Sequence, residues 1–321
     1  MTALDRRTFL TGSALLAGAA LTPPAAARAP SSAAQGPGVY RYNLGSYQLT
    51  ALYDGVWYVP IGEKFVRNAS SAEVNDALAA AFLPPKILPV SFTALLVNTG
   101  AKLVLIDAGT AGQIADTAGS LLDNFQAAGI DPKAVDTILI SHFHPDHIGG
   151  IKTKDGARIF PNAEVVVPEP EWDFWMDDAN MSKAEGAVKR YFLNARRIFR
   201  DIARDVKRFK PGNEVAPGIV SVAAYGHTPG HTAFAIHSGN QSMLAMSDTV
   251  RNPYLFARHP EWQPAFDMDG PQAVEARRRM LDRVSADRML IEAYHFPFPA
   301  CGHIAKTASG YEFVPAEWKP L

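Results

Sequence analysis

Short runs of Val, Ile and Leu recur along the chain, each closed by turn-forming residues. They predict strands at residues 48–53, 93–98, 103–106, 137–140, 164–167, 219–224, 233–237, 243–246 and 289–293. Three other stretches space their apolar residues by three or four. Residues 114–128 carry Leu121, Leu122 and Phe125 and end at Gly129, a residue suited to a left-handed helix cap. Residues 185–209 repeat Val188, Tyr191/Phe192, Ala195, Ile198/Phe199, Ile202 and Val206, and a third helix begins near Pro271 and carries Val274 and Leu281. Strands interleaved with helices of this length predict an α/β domain, its sheets packed together and its helices outside. The second helix also carries Lys189, Arg190, Arg196, Arg197, Arg200, Arg204, Lys207 and Arg208 against Asp201 and Asp205, which reads as a solvated outer face.

Composition narrows the class. The 321 residues are 47% hydrophobic and 20% charged, enough apolar material for a full core, so disorder is excluded as the main state. A formal charge of -1 gives no overall electrostatic footprint for nucleic acid. The single Cys301 rules out an internal disulfide and a multi-thiolate zinc site, so any metal must be held by His, Asp or Glu.

The start of the chain has the layout of an export leader. Asp5-Arg6-Arg7-Thr8-Phe9-Leu10 precedes an uncharged stretch to Leu21 and then a Pro, Ala and Ser-rich segment to Ala34. The adjacent arginines resemble the twin-arginine signal, whose machinery exports folded proteins, and this places the expected location in the bacterial periplasm or outside the cell. The apolar run from Phe9 to Leu21 falls short of the roughly 20 residues a spanning helix needs, so no stable membrane span is expected. The leader is expected over residues 1–34 and one catalytic domain over residues 38–321.

Histidines and aspartates gather where predicted strands end. The densest group is Ser141-His142-Phe143-His144-Pro145-Asp146-His147, directly after the strand at 137–140. A turn after a strand aims alternate side chains His142 and His144 at one ion while Asp146 and His147 face another, and imidazole with carboxylate suits zinc, manganese, iron or cobalt. Gly226-His227-Thr228-Pro229-Gly230-His231 makes a tight loop between two predicted strands, and one of its histidines suffices as a ligand. Asp248 and His295 each follow a further strand.

This His-x-His-x-Asp-His run, followed by single His, Asp and His candidates in order, resembles the metallo-β-lactamase superfamily of hydrolases. The likeness covers most of residues 40–321 and includes Val104-Leu105-Ile106-Asp107-Ala108-Gly109, similar to the family's early strand-to-Asp-Gly motif. Residues 96–100, 102–105, 173–175, 227–231 and 295–304 resemble methyl parathion hydrolase-like and lactonase-like members in particular. The resemblance implies an αββα sandwich of two mixed β-sheets flanked by helices. It also implies two divalent ions, zinc favoured over manganese, iron or cobalt, with His142, His144 and His231 on one, Asp146, His147 and His295 on the other, and Asp248 bridging. Asp146 and Asp248 are then the catalytic carboxylates, and a hydroxide between the ions is the nucleophile. Asp107 is implied as a buried carboxylate that fixes a ligand histidine's tautomer. His227 and His303 are expected to bond backbone or a neighbouring carboxylate instead of metal.

Trp175 and Phe192 fall where the family pattern has aromatic substrate contacts, and Ile114 and Arg251 depart from it at two further pocket positions. A guanidinium at Arg251 suits a substrate carboxylate or carbonyl better than a neutral phosphotriester. The expected function is therefore hydrolysis of lactone or aryl ester bonds, with phosphotriester cleavage as a side activity. The enzyme alternatives are a methyl parathion hydrolase-type phosphotriesterase and a hydrolase of β-lactams or thioesters. A diiron redox enzyme, which would replace an early ligand histidine with Glu, and a binding-only domain, which would show gaps in the ligand set, fit less well. Family relatives are often dimers, so the resemblance also implies a homodimer.

Overall fold

A computed structural model describes Ser32 and residues 35–321. The expected twin-arginine-type leader at residues 1–34 lies, apart from Ser32, outside the described residues. Residues 37–321 form one compact unit.

The first sheet contains β1 (Val39–Leu44), β2 (Tyr47–Pro60), β3 (Ile87–Asn98), β4 (Leu103–Ile106), β5 (Thr137–Leu139), β6 (Glu164–Pro168) and β7 (Lys207–Phe209), in that spatial order. Its first four strands pair antiparallel and the rest parallel. Between these strands lie α1 (Ser71–Ala80), α2 (Leu121–Ala127), the short α3 (Pro145–Ile148), α4 (Glu169–Met176), α5 (Asp178–Lys183) and α6 (Gly186–Phe199). The second sheet runs from β8 (Glu214–Ala216) through β9 (Ile219–Ala223), β10 (Thr232–Ser238), β11 (Gln241–Ala245), β12 (Leu290–Glu292) and β13 (Cys301–Lys306) to β14 (Tyr311–Pro315), with α7 (Gly270–Ala286) between β11 and β12. Only β11 and β12 pair parallel in it.

Strand alternation builds the layers. Leu95, Val97, Val104, Ile106, Leu139 and Val166 of one sheet cluster with Phe234, Ile236, Met243 and Ala245 of the other, filling the space between the sheets. Their neighbours in sequence, Leu96, Leu105, Ile138, Val165 and Val167, face the opposite way and join a core that includes Trp172, Phe192, Ile198 and Phe199 of the helices. Because side chains alternate with a period of two, both faces of these strands are buried, which explains their near-continuous apolar runs. The αββα sandwich is the observed fold.

Two helices are shorter than their patterns predict. The first begins only at Leu121, because the preceding segment is turned back on β2: Gly119 and Ser120 donate backbone N–H groups to the Asp54 carbonyl, and Leu121 donates to the Asp54 carboxylate. The second ends at Phe199. Ile202 and Val206 continue its apolar period and are buried, yet residues 207–209 pair with β6, so sheet pairing overrides helical spacing. The third helix starts as expected, with Asp269 accepting from the Gln272 N–H as its N-cap. Among the described residues, no helix is long and apolar enough to cross a membrane.

Candidate metal centre

The rim at the C-terminal ends of β4, β5, β11 and β12 gathers the predicted ligands. After β5 the chain extends through His142 and His144 and then turns into α3, which Pro145 opens and in which Asp146 and His147 follow. This segment packs directly on the β4 rim. A Cβ at Gly150 would lie 1.8 Å from the Ala108 carbonyl oxygen, so only glycine permits the approach. Asp248 follows β11 and His295 follows β12. His142, His144, His147, Asp248 and His295 are all buried, and Asp146 is nearly so.

Two groups of ligand atoms result. His142, His144, His227 and Asp248 each offer an atom within 4.8 Å of the others, and so do Asp146, His147 and His295. Asp248 reaches both: its Oδ1 is 3.1 Å from His147 Nε2, and its Oδ2 is 3.1 Å from His295 Nε2 and 3.2 Å from His227 Nε2.

The second loop corrects the expected assignment. His231 is not among the converging ligands: its Nδ1 is 2.9 Å from the Ala224 carbonyl and its Nε2 accepts from the Asp248 backbone N–H at 3.1 Å, so both nitrogens are engaged by backbone. His227 takes that place. Its Nδ1 lies 2.9 Å from Asp267 Oδ1, as a bond to a neighbouring carboxylate requires, and this aims Nε2 at His144 Nδ1, 2.9 Å away. The structure shows why His231 turns away: the hairpin of β9 and β10 pairs Ala223 with Thr232, which sets His231 opposite Ala224 in the continuing ladder. His303 bonds backbone, with Nδ1 3.1 Å from the Met289 carbonyl.

The remaining histidines are oriented in the same way. His147 Nδ1 is 2.7 Å from Asp107 Oδ2, His295 Nδ1 is 2.8 Å from the Ser91 carbonyl, and His142 Nδ1 is 3.0 Å from Ser141 Oγ. Asp107 also accepts from the Ser141 N–H and the Ser141 and Ser247 hydroxyls. Both Asp107 (φ 59) and Ser247 (φ 46) adopt left-handed backbone, a strain that non-glycine residues bear where a site demands it.

With Nδ1 donating to Asp107, the neutral form of His147 carries its lone pair on Nε2. That nitrogen faces Asp248 Oδ1 at 3.1 Å, yet neither atom makes a hydrogen bond. Two buried acceptors pointed at common space are what a cation requires, and imidazole with carboxylate is a donor set for divalent metals. The electrostatics agree. Burial drives His142 and His144 well below the ordinary imidazole pKa, with repulsion from His147 adding at His142 and from His227 at His144. Burial also pushes His231 down to about 3. It would lower His147 too, but Asp248, Asp107 and Asp146 hold that group well above its usual value. Burial opposes ionisation of Asp248, yet His295, His147, His227 and His142 keep it well below the carboxylate range. The carboxylates thus demand positive charge, and divalent ions meet that demand.

Residues 89–291, more than half of the chain, match the family described as the Metallo-beta-lactamase superfamily. The chain belongs to that superfamily. It is a metal-dependent hydrolase by family, and the two groups of ligand atoms above are its candidate dinuclear centre. N-acyl homoserine lactonase AiiA of Bacillus thuringiensis subsp. kurstaki is 22% identical over 255 residues, covering 74% of this chain and 90% of its own. Two solved superfamily structures superpose with TM-scores of 0.83. Hydrolase AbOPH is 32% identical and covers 89% of this chain and 100% of its own. AidC, a dizinc quorum-quenching lactonase solved with the product N-hexanoyl-L-homoserine, is 27% identical and covers 88% of this chain and 99% of its own.

A cavity of about 410 Å³ opens onto the centre, lined in part by His144, Asp146, Trp57, Ile114, Tyr191 and Phe266. Ile114 stands on its wall as expected. Trp175 and Phe192 do not: both are fully buried, with ring centroids 4.6 Å apart, and the Trp175 indole donates to Glu171 at 2.6 Å. Tyr191, one position earlier, faces His144 with ring centroids 4.9 Å apart. Arg251 also lines the cavity, its Nε 3.1 Å from Asp248 Oδ2 and its guanidinium 4.3 Å above the Phe266 ring.

Glu171 went unnoticed in the sequence. It is wholly buried on α4, Oε2 accepts from Phe143 N–H and the Trp175 indole, and Oε1 accepts from Gly230 N–H. It therefore joins the two ligand loops.

Proposed function

We propose that the protein hydrolyses lactone or aryl ester bonds with two zinc ions as cofactor, and cleaves phosphotriesters as a side activity. The observation that carries this reading is the position of Asp248, within 3.2 Å of ligand nitrogens from both groups, beside a cavity that the candidate ligands His144 and Asp146 line. The lactonases among its relatives and the dizinc description of AidC support the substrate class and the metal.

Bound in pairs, such ions polarise the oxygen that gains charge and lower the pKa of water enough to supply a hydroxide nucleophile near neutral pH. The chain's own residues fix that chemistry. Asp107, Asp267 and the Ser91 carbonyl hold three imidazoles in one tautomer, so no reorganisation is needed when a substrate arrives. Asp146 stays anionic: burial opposes this, but His147 and its hydrogen bond hold the carboxyl well below its usual range. It is thus a metal ligand and not a proton donor. Trp57, Ile114 and Phe266 exclude water from the substrate side.

The test is turnover by zinc-loaded protein on N-acyl homoserine lactones, aryl esters and an aryl phosphotriester, each repeated after chelation. Chelator-sensitive hydrolysis of a lactone or aryl ester is expected, with slower phosphotriester cleavage. Loaded protein that turns over none of them overturns the reading. Periplasmic export belongs to the same proposal, supported by the Arg6-Arg7 run, and cell fractionation of wild type against Arg6→Lys/Arg7→Lys checks it.

A further inference from the structure

The cavity above the centre is lined by three guanidiniums, those of Arg190, Arg197 and Arg251, and by a single acid, the ligand Asp146. Most other cations of the basic segment at 185–209 are accounted for locally. Arg196 pairs with Asp178 and donates to the Met176 carbonyl, Lys189 donates to the Met181 carbonyl, Lys207 pairs with Glu164, and Arg208 covers the Trp172 ring.

The cavity arginines differ. Arg197 is pinned by two neutral oxygens, Gln113 Oε1 at 2.6 Å and Asn194 Oδ1 at 3.0 Å, and Gln113 is itself anchored to the Gly149 and Lys152 carbonyls. Among the described residues neither Arg190 nor Arg197 has an ion pair. Arg251 reaches Asp248 only through Nε, in a contact not aligned for a hydrogen bond, and its two terminal nitrogens have no partner among the described residues. A guanidinium held by neutral oxygens, as in Arg197, has no acid to neutralise it, and one stacked on an aromatic ring, as in Arg251, is oriented with its terminal nitrogens left for a ligand.

We propose that this cavity selects esters or lactones that carry a second, remote carboxylate, bound by Arg197 with Arg190 and Arg251. The proposal rests on the hydrolase reading for which bond is cleaved, and adds what the rest of the substrate must bear. A neutral acyl chain would leave three cations facing an apolar ligand, at a desolvation cost that a carboxylate removes.

The test uses zinc-loaded holoenzyme with phenyl hydrogen adipate and its uncharged counterpart phenyl hexanoate. The charged ester is expected to show a kcat/KM at least about tenfold higher, as charge-assisted hydrogen bonds in a partly buried site would give. That preference should shrink between about 0.05 and about 0.5 M salt and fall below about threefold in Arg190→Gln/Arg197→Gln. If that variant does not fold, Arg190→Gln, at an exposed position, and the salt titration of wild type carry the test. Equal or better turnover of phenyl hexanoate overturns this proposal and leaves the hydrolase reading standing. If neither ester turns over, the hydrolase reading is in question, and calorimetry decides the proposal separately with adipate against its monoamide. Both offer one carboxylate to the metals, and only adipate offers a second. Tighter binding of adipate by about tenfold, lost in the arginine variants, supports the carboxylate site; equal affinity overturns it.

Discussion

The loop that follows β5 and the loop that precedes β10 both deliver histidines to the same pair of ligand groups, and they fix those side chains by different means. In the first loop, His142, His144, Asp146 and His147 leave one strand and one turn of helix, so local backbone sets which way each side chain departs, and the distant Asp107 only fixes the ring of His147. In the second, His227 and His231 stand four residues apart in a Gly-Pro turn, and which ring meets the centre is decided by groups outside that turn. Asp267 turns His227 toward the centre, and the Asp248 backbone with the Ala224 carbonyl turns His231 away from it. Direction set by local geometry is legible in a motif, and direction set by a distant hydrogen-bond partner is not.

The sharpest way to break this contrast is to remove each histidine of the second loop in turn. His227→Ala is expected to lower bound zinc from two ions per chain toward one. It should also cut kcat about a thousandfold, since a catalytic metal supplies several kcal/mol of charge stabilisation at about 1.4 kcal/mol per decade. His231→Ala should keep both ions and lose stability instead, because the Asp248 N–H then has no acceptor. Elemental analysis of the two purified variants checks both outcomes. Zinc loss in His231→Ala with full occupancy in His227→Ala would return the assignment to the one the family pattern suggested.

The same distinction explains what the sequence made legible elsewhere. Strands β3 to β6 and β9 to β12 were visible because burial on both faces leaves apolar runs bounded by turns, and Asp107 was visible because it closes such a run. The helix expected at 114–128 lost its first half because Asp54, about sixty residues away, captures the backbone there. Placing Phe192 on the cavity from the family pattern failed because adjacent helix positions are about 100° apart, so a shift of one position turns Phe192 into the core and Tyr191 toward the cavity. Glu171 left no signal: an acid in the first turn of α4 reads as an ordinary helix start, and its three partners come from other segments or from the far end of its own helix.

Glu171 also offers a way to couple the two loops on purpose. Its oxygens accept from Phe143 in the first loop and Gly230 in the second, and a Cβ at Gly230 would come within 2.4 Å of the Glu171 backbone nitrogen, so the loops and α4 meet with no slack. A glutamine at this position has one acceptor oxygen where two are used, so an N–H₂ group must face at least one buried N–H. Glu171→Gln is expected to cost about 2 kcal/mol, the penalty of an unmet buried donor, which lowers Tm by about 4–8 °C for a domain of this size. Zinc affinity should fall about tenfold as both loops relax. Thermal melts with and without chelator read the two effects separately. A variant with unchanged metal affinity would show that the loops hold their ligands independently.

The smallest effect expected comes from Trp175, and it separates a core residue from a cavity wall. Trp175→Phe keeps an aromatic ring between Phe174 and Phe192 and removes only the indole donor to Glu171. Since Glu171 Oε2 retains the Phe143 N–H, the loss is one hydrogen bond to a buried carboxylate together with a small void, about 1–2 kcal/mol in all. Because the side chain is fully buried behind Tyr191 and His144, KM for the preferred ester should stay within about twofold, a change of about 0.4 kcal/mol. Tyr191→Ala, by contrast, strips the ring that stands against His144 and should raise KM several-fold while costing less stability, being only partly buried. Steady-state kinetics beside urea melts of the two variants decide the matter. A KM change in Trp175→Phe that exceeds that in Tyr191→Ala would move the substrate wall one helix position inward, to where the family pattern first placed it.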